Sequence, residues 1–504
     1  MLNLDEDGFI TTSKRVTLKP YIARAPKQFK LMTDEEIYAG AGGTLIADSE
    51  SYENYFLIAF KCIKTAKIIL FEIPGDFNHF KLSWIMHNYR VIGFNIIKYD
   101  LPIIWLSYKN QSSKLLQDLS RSLIGGFYKL AELKKEFDFE IFKTNVIDTI
   151  EVAPLIGSLK LYGARIHSPR IQELPFGYGD ILQERILIVK DYCINDLDET
   201  ERLFNFMKDR FELREALSIE YKEDLRSKSD AQIAEAVISR EVYKITKQWP
   251  KRPDIPEGFS FQYNIPSYLT SYLTFKKSAL HKILHQIKDT VFIIEDDRIT
   301  GLKDIHIQIN KSTYTIGIGG LHSKEKNVGY KSTETLSIID RDVASYYPRI
   351  ILNQRLYPEH IGPAFLEVYS SLTERRLLAK KNKNTAADKG LKVTINGTGG
   401  KFNDFWSRLR SPTCFIQMTL TGQLTLLMLI EAIEGIGIQV VSANTDGIVM
   451  LCPQHLEQNL NELIKQWEQW TGFQTEETRY SAYYARDVNA YFAVKQNGEV
   501  KIKG

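Results

Sequence analysis

The feature that most limits the fold is an apolar run around Leu420 to Ile438 that also carries Gln423, Glu431 and Glu434. Those polar groups would be costly in a bilayer, so the run reads as a buried core helix and not a membrane span. A hairpin-like pattern follows at once, QVVSANTDGIVML (439–451), with turn residues Asn444 to Gly447 between two apolar stretches. A helix and hairpin of this kind need a large core, and 504 residues suffice for about three domains. The chain is 44% apolar and 25% charged, which excludes wholesale disorder. The net charge is only +3, so any nucleic-acid surface must come from local clustering. Cys62, Cys193, Cys414 and Cys452 lie far apart with no CxxC pair. That argues against a structural zinc site and fits a reduced, cytoplasmic setting. The N-terminus lacks a signal-peptide apolar core, and no membrane partner is expected.

Residues 1–43 mix Lys, Pro and Gly and read as an irregular arm. From Thr44 the segments TLIADSES, YFLIAFKCIK and AKIILFEI predict strands of an antiparallel meander, and VIGFNII (91–97) predicts another buried strand. Residues 183–215 have helical periodicity, so an α/β domain is expected over 44–215. Residues 216–310 read as a more helical, polar region with a Pro-rich break at 250–256 and a basic amphipathic helix at 276–288. A strand is predicted at LSIIDRD (336–342) and a basic helical stretch at 372–395.

Three acidic clusters mark the first domain. Asp48 and Glu50 are two apart on a predicted strand, so both point to one face. Their repulsion is relieved by a divalent cation. Asn95, Tyr99 and Asp100 follow the strand VIGF, and Tyr192 and Asp196 share one face of a predicted helix. This set resembles the DnaQ-like 3′→5′ exonucleases whose third motif holds a tyrosine, on an RNase H-like fold. The resemblance implies that Asp48, Glu50, Asp100 and Asp196 hold two metal ions, that Tyr192 orients the attacking water, and that Asn95 and Tyr99 touch the DNA strand. Asp148 and Asp198 are further ligand candidates, Asp148 reading better as a cap.

A second constellation lies in the C-terminal half. Asp342-Val-Ala-Ser345-Tyr346-Tyr347-Pro348 ends the strand LSIID, with Asp340 on the same face as Asp342. Arg376 and Lys380 are one turn apart, and Lys392-Val-Thr-Ile-Asn396-Gly-Thr-Gly-Gly400-Lys401 follows. Asp446 sits in the hairpin turn. In order, these pieces resemble the DxxSLYP, KxxxNSxYG and YxDTDS motifs of family B DNA polymerases. The resemblance runs from about residue 44 to the C-terminus. It implies that Asp342 and Asp446 bind two Mg²⁺ (or Mn²⁺) ions. Arg376, Lys380, Lys392, Asn396, Tyr347 and Ser345 would bind the incoming dNTP, with Tyr347 excluding a 2′-hydroxyl. Gly319 and Gly320 match an element linking the two activities. Lys401, Arg486, Tyr491, Lys501 and Lys503 would contact primer-template DNA.

The implied fold is multidomain α+β: an RNase H-like exonuclease domain, a polymerase palm and short helical fingers. The expected divisions are the arm (1–43), the exonuclease (44–215), the linking region (216–310), palm (311–369), fingers (370–412) and palm again (413–504). Asn444 replaces the first aspartate of the third motif, and Gly397 and Gly399 stand where a serine and an aromatic are usual. The short segment between Asp342 and Lys392 argues against protein priming and resembles bacteriophage enzymes. A thumb is expected from a second polypeptide, or the sequence is a fragment that lacks it, and other replication proteins are candidate partners. A DNA-binding, polymerase-like subunit without synthesis is the alternative reading.

Overall fold

The computed structural model describes residues 28–126, 128–174, 177, 179, 181, 185–266 and 271–504. The described residues form two compact units that divide between Phe211 and Glu212. Residues 1–27 of the expected arm, and residues 183 and 184 of the expected helix, lie outside the described residues.

The first unit contains α1 (Asp34–Ala39), β1 (Thr44–Ser51), β2 (Phe56–Cys62), β3 (Ile68–Ile73), α2 (His79–Asn88), β4 (Arg90–Gly93), α3 (Asp100–Lys109), α4 (Ser113–Gly125), α5 (Leu130–Glu136), β5 (Val146–Asp148), α6 (Leu159–Arg165) and α7 (Ile186–Phe206). The arm reading is corrected at α1. Thr33 and Glu36 form a reciprocal cap there, satisfying two orphan N–H groups and starting a helix. The five strands run in the order β3-β2-β1-β4-β5, with β1–β2–β3 antiparallel and β4 and β5 parallel to β1. Strand β1 is central and both its faces are covered. Leu45 and Ala47 join the core beneath α2 and α3, while Ile46 joins the core beneath α6 and α7. The alternation therefore turns Asp48 and Glu50 toward α7. The predicted strand 91–97 stops at Gly93. Asn95 takes φ +58°, and the chain turns there into α3.

Helix α8 (Lys208–Tyr221) follows. The second unit continues with α9 (Asp230–Thr246), β6 (Ser260–Asn264), α10 (Ser278–Lys288), β7 (Val291–Glu295), β8 (Arg298–Thr300), β9 (Ile305–Ile309), β10 (Ser312–Ile316), β11 (His322–Ser323), β12 (Val328–Lys331) and β13 (Leu336–Val343). It ends with α11 (Tyr346–Asn353), α12 (Ala364–Lys381), α13 (Thr385–Phe402), α14 (Pro412–Gly435), β14 (Gln439–Asn444), β15 (Gly447–Pro453), α15 (Glu457–Thr471), β16 (Thr475–Asp487), β17 (Ala490–Lys495) and β18 (Val500–Lys503). The region read as helical and polar instead holds the three-stranded sheet β6-β7-β8 and strand β9. The basic stretch 372–395 is two helices, α12 and α13, parted near Asn384, which caps α13.

The large sheet runs β18-β17-β16-β13-β15-β14-β11-β10-β9, with β12 on β16. Helix α14 packs on it and is buried along nearly its whole length. Its polar groups are all answered. The Gln423 amide exchanges bonds with Gly317 N–H and C=O at 3.1 and 2.9 Å. Glu431 accepts from the N–H groups of Lys276 and Lys277, and Glu434 from Val440 N–H. Buried carboxylates bonded to backbone N–H groups are tolerated in a protein core.

Candidate active sites

Strand β13 delivers Asp342 opposite Gly447, the first residue of β15, and the Val343 N–H donates to the Asp446 carbonyl at 2.8 Å. The turn between β14 and β15 thus lies beside the end of β13, and both carboxylates open onto one cleft. Burial raises Asp446 to about 6, with the Asp342 charge adding to the shift. Asp342 is raised as well, first by partial burial and then by Asp340. Two carboxylates on one cleft, one of them raised by the charge of the other, are hard oxygen donors that fit a divalent cation.

The cleft has a volume of about 610 Å³. Asp342, Ser345, Tyr347, Arg376, Lys380, Lys392, Asn396 and Asp446 all line it. Ser345 takes φ +53° and its Oγ accepts from Arg376 Nη1 at 3.1 Å, while Asp388 accepts from Arg376 Nε at 3.1 Å. The guanidinium is thereby aimed before any ligand arrives. Lys380 reaches Glu476 at 3.3 Å. Lys392 and Asn396 are one turn apart on α13 and face the same space. Burial pushes the Tyr347 phenol up to about 12, so it stays neutral. Its ring packs where a Cβ on Gly422 would lie 3.2 Å away.

Several sequence candidates fall elsewhere. Asp340 shares a face with Asp342 but is buried, bonded to the Tyr480 hydroxyl and to Lys501 at 3.1 Å. It anchors a lysine and is not a cleft ligand. Lys501 and Lys503 act electrostatically on Asp342 and Asp446 from β18. Lys401 is a correction. It is buried and ion-paired to Asp404 and Glu235, so it is not presented to DNA. Arg486 is exposed and pairs with Asp487, and Tyr491 packs on Tyr483. Gly319 adopts φ +147°, and Gly320 lies under the hairpin turn, where a Cβ would meet Thr445 Oγ1 at 2.6 Å.

Asn444 and the motif glycines have structural explanations that only packing shows. The Asn444 amide donates to the Val488 carbonyl at 2.8 Å, tying the hairpin turn to the β16–β17 turn. A carboxylate cannot donate that bond. A Cβ on Gly397 would lie 2.5 Å from the Asp230 carbonyl oxygen, because α9 begins against this face of α13. At Gly399 the corresponding space belongs to Met418 of α14.

In the first unit the ligand atoms of Asp48, Glu50 and Cys193 all lie within 4.8 Å of one another. Burial raises Asp48, and the charges of Asp100 and Asp196 raise it further; Glu50 is raised by burial and then by Asp48. Asp196 is one turn beyond Tyr192 on α7 and contacts Lys160. Asp100, at the start of α3, accepts from Ser49 Oγ at 2.6 Å and is lifted to about 7 by burial. Its own bond is thus to the residue between the Asp48 and Glu50 pair. Asp148 caps the connecting loop by accepting from the N–H groups of Asn95, Ile97 and Ile150, and Asp198 pairs with Lys61. Both carboxylates thus have protein partners, and the Asp148 charge also helps to raise Asp100. The Tyr99 hydroxyl is bonded to Ser120 Oγ at 2.7 Å.

Two residues of this cluster escape sequence reading. Cys193 follows Tyr192 directly and donates toward Asp48 Oδ2 at 3.6 Å. Lys160 sits 4.3 Å over the Tyr192 ring and lowers the charge cost at Asp48, Glu50 and Asp196. It reaches them because Gly163 lets α6 lie against Glu199 of α7. A lysine 36 residues before its partner carries no spacing signal, and only the bare Gly163 hints at close helix packing.

A solved structure of the family B DNA polymerase from the hyperthermophilic archaeon Pyrobaculum calidifontis superposes with a TM-score of 0.50 at 14% identity. The fold is family B polymerase-like. The match covers 92% of this chain and 60% of that one, so the chain spans less than two thirds of the archaeal enzyme's length. No protein-family profile and no curated protein sequence matches the chain. At this identity the likeness speaks for architecture alone.

Proposed function

We propose that the chain is a DNA-directed DNA polymerase that extends a primer 3′ end, with a 3′→5′ proofreading exonuclease in its first unit. The observation that carries the reading is the single cleft. Two carboxylates from a strand end and a hairpin turn share it with Arg376, Lys380 and Lys392. Cations preset around a space walled by acids suit a metal-chelated triphosphate. Asp342 and Asp446 would hold two Mg²⁺ or Mn²⁺ ions. When bound, such ions supply Lewis acidity to the attacking and leaving oxygens of a phosphoryl transfer. The protein's own part is positional. Arg376, fixed by Ser345 and Asp388, orients the phosphates of a dNTP, and Lys380 and Lys392 neutralise them. Tyr347, backed by Gly422, occupies the floor where a 2′-hydroxyl would need room.

In the first unit, Asp48, Glu50, Asp100 and Asp196 would hold the exonuclease ions. Lys160 offsets their charge and positions Tyr192 and Asp196. The short connection between Asp342 and Lys392 supports a bacteriophage replication role in the host cytoplasm. A scaffold without synthesis would leave the paired carboxylates and facing cations with no ligand to repay their clustering.

Primer extension with Mg²⁺ tests this. Asp342→Asn should lose synthesis and keep 3′-end trimming, and Asp48→Asn should do the reverse. Synthesis at the wild-type rate by Asp342→Asn would end the proposal.

A further inference from the structure

Away from the cleft, the second unit carries a groove of about 610 Å³ lined by Trp249, Trp406, Lys251, Arg252, Arg408 and Glu223. Its two tryptophans are 40% and 61% exposed, which is costly for rings of this size unless something covers them. They are not loosely held. Trp249 stacks on Tyr243 at 4.8 Å and 16°, and Phe405 meets Trp406 edge-on at 5.0 Å. The Arg252 guanidinium lies 4.7 Å over Trp406 and 4.5 Å over Phe405. Its Nη1 is buried without a hydrogen-bond partner. Lys251 and Arg408 are exposed, and among the described residues neither side chain is ion-paired. Glu223 is the one acid on the lining.

Rigid aromatic rings alternating with unpaired cations make a stacking platform for bases beside a track for phosphates. An apolar peptide would leave the cations unmatched, and duplex DNA offers no free base faces. We infer that this groove binds single-stranded DNA, the template strand outside the polymerase cleft. The inference rests on the proposed polymerase activity only for the word template. Helix α13 links the two places: Lys392 and Asn396 line the cleft, and the helix ends at Phe402, four residues before Trp406. Ten helical residues span roughly 15 Å. At about 3.4 Å per stacked nucleotide, a strand running alongside the helix would cover that length in roughly four nucleotides.

The test is equilibrium binding of a labelled 12-nucleotide oligo(dT) to the full chain, by fluorescence anisotropy in EDTA so that no chemistry occurs. Trp406→Ala should weaken binding about tenfold, the loss typical of one stacked base. Trp406→Phe should restore it to within about twofold. Lys251→Gln with Arg408→Gln should lower the salt slope by about 1.4, or about 0.7 for each single-strand phosphate contact. Oligonucleotide binding unchanged in Trp406→Ala, or a 12-base-pair duplex competing as well as the single strand, would overturn the inference. Because the assay needs neither metal nor dNTP, it stands or falls apart from primer extension. In a second arm, Trp406→Ala should raise the KM for primed templates with a ten-nucleotide overhang and not for those with a two-nucleotide overhang. Equal effects on both would also overturn it.

Discussion

Replacing Gly397 by alanine should destabilise the second unit, although helix propensity alone favours the change. Gly397 lies inside α13, where Gly→Ala ordinarily gains about 1 kcal/mol. Here the added Cβ would stand 2.5 Å from the Asp230 carbonyl oxygen, 2.9 Å from its carbon and 3.1 Å from Ala231 Cα. All three are backbone atoms, and the first contact is about 0.9 Å short of ordinary van der Waals separation. The start of α9 cannot easily retreat. The buried Arg214 bonds to the Lys228 carbonyl at 2.8 Å and to Asp230 at 2.5 Å, and Ser229 and Gln232 cap the helix reciprocally. Overpacking of this kind costs about 1–3 kcal/mol, more when backbone must move. With fixed backbone in the way the upper part of that range applies, about 2–3 kcal/mol, and after the propensity gain the net loss is about 1–2 kcal/mol. Gly400, on the same helix, is the control. A Cβ there meets nothing closer than Ala231 Cβ at 3.9 Å, so Gly400→Ala should stabilise by up to about 1 kcal/mol. Urea titration followed by circular dichroism should place the two midpoints on opposite sides of the wild type, each by a few tenths of a molar. Gly397→Ala as stable as wild type would refute the packing argument. A serine at this motif position would meet the same backbone atoms with its Cβ.

Further outcomes follow from the same geometry. Lys160→Ala should cut 3′-end trimming at least tenfold while leaving primer extension intact, since it removes the cation facing Asp48, Glu50 and Asp196; both rates are read on one gel. Asn444→Asp should lower the urea midpoint by the equivalent of about 1 kcal/mol, because a donor to the Val488 carbonyl becomes an acceptor. It should not raise the rate of synthesis. Asp100, lifted to about 7 by burial, holds a proton in the folded metal-free protein that the unfolded chain releases near pH 4. Metal-free stability should therefore fall as pH rises from about 4 to 7, and Mn²⁺ affinity of the first unit should fall as pH drops below about 7. Thermal melts in EDTA and calorimetric Mn²⁺ titrations at pH 6 and 8 check both signs.

Period and spacing are local properties, and what depends on them was legible in the chain. The alternation in TLIADSES put Asp48 and Glu50 on one face, and the apolar length of 412–435 made a buried helix. The turn SANTDG also placed Asp446 at a hairpin tip. Contacts between segments far apart in sequence were decided only by the tertiary structure. Asp340 and Asp342 are equivalent by period, and only the approach of Tyr480 and Lys501 separates anchor from cleft ligand. Lys401 looks like a free cation until Glu235 and Asp404 close on it. Lys160 and Cys193 join the acidic cluster because α6 and α7 pack there, and Gly397 is glycine because α9 does. A side chain's type is written in the sequence, but its charge state and availability depend on which distant groups the fold brings within a few ångströms.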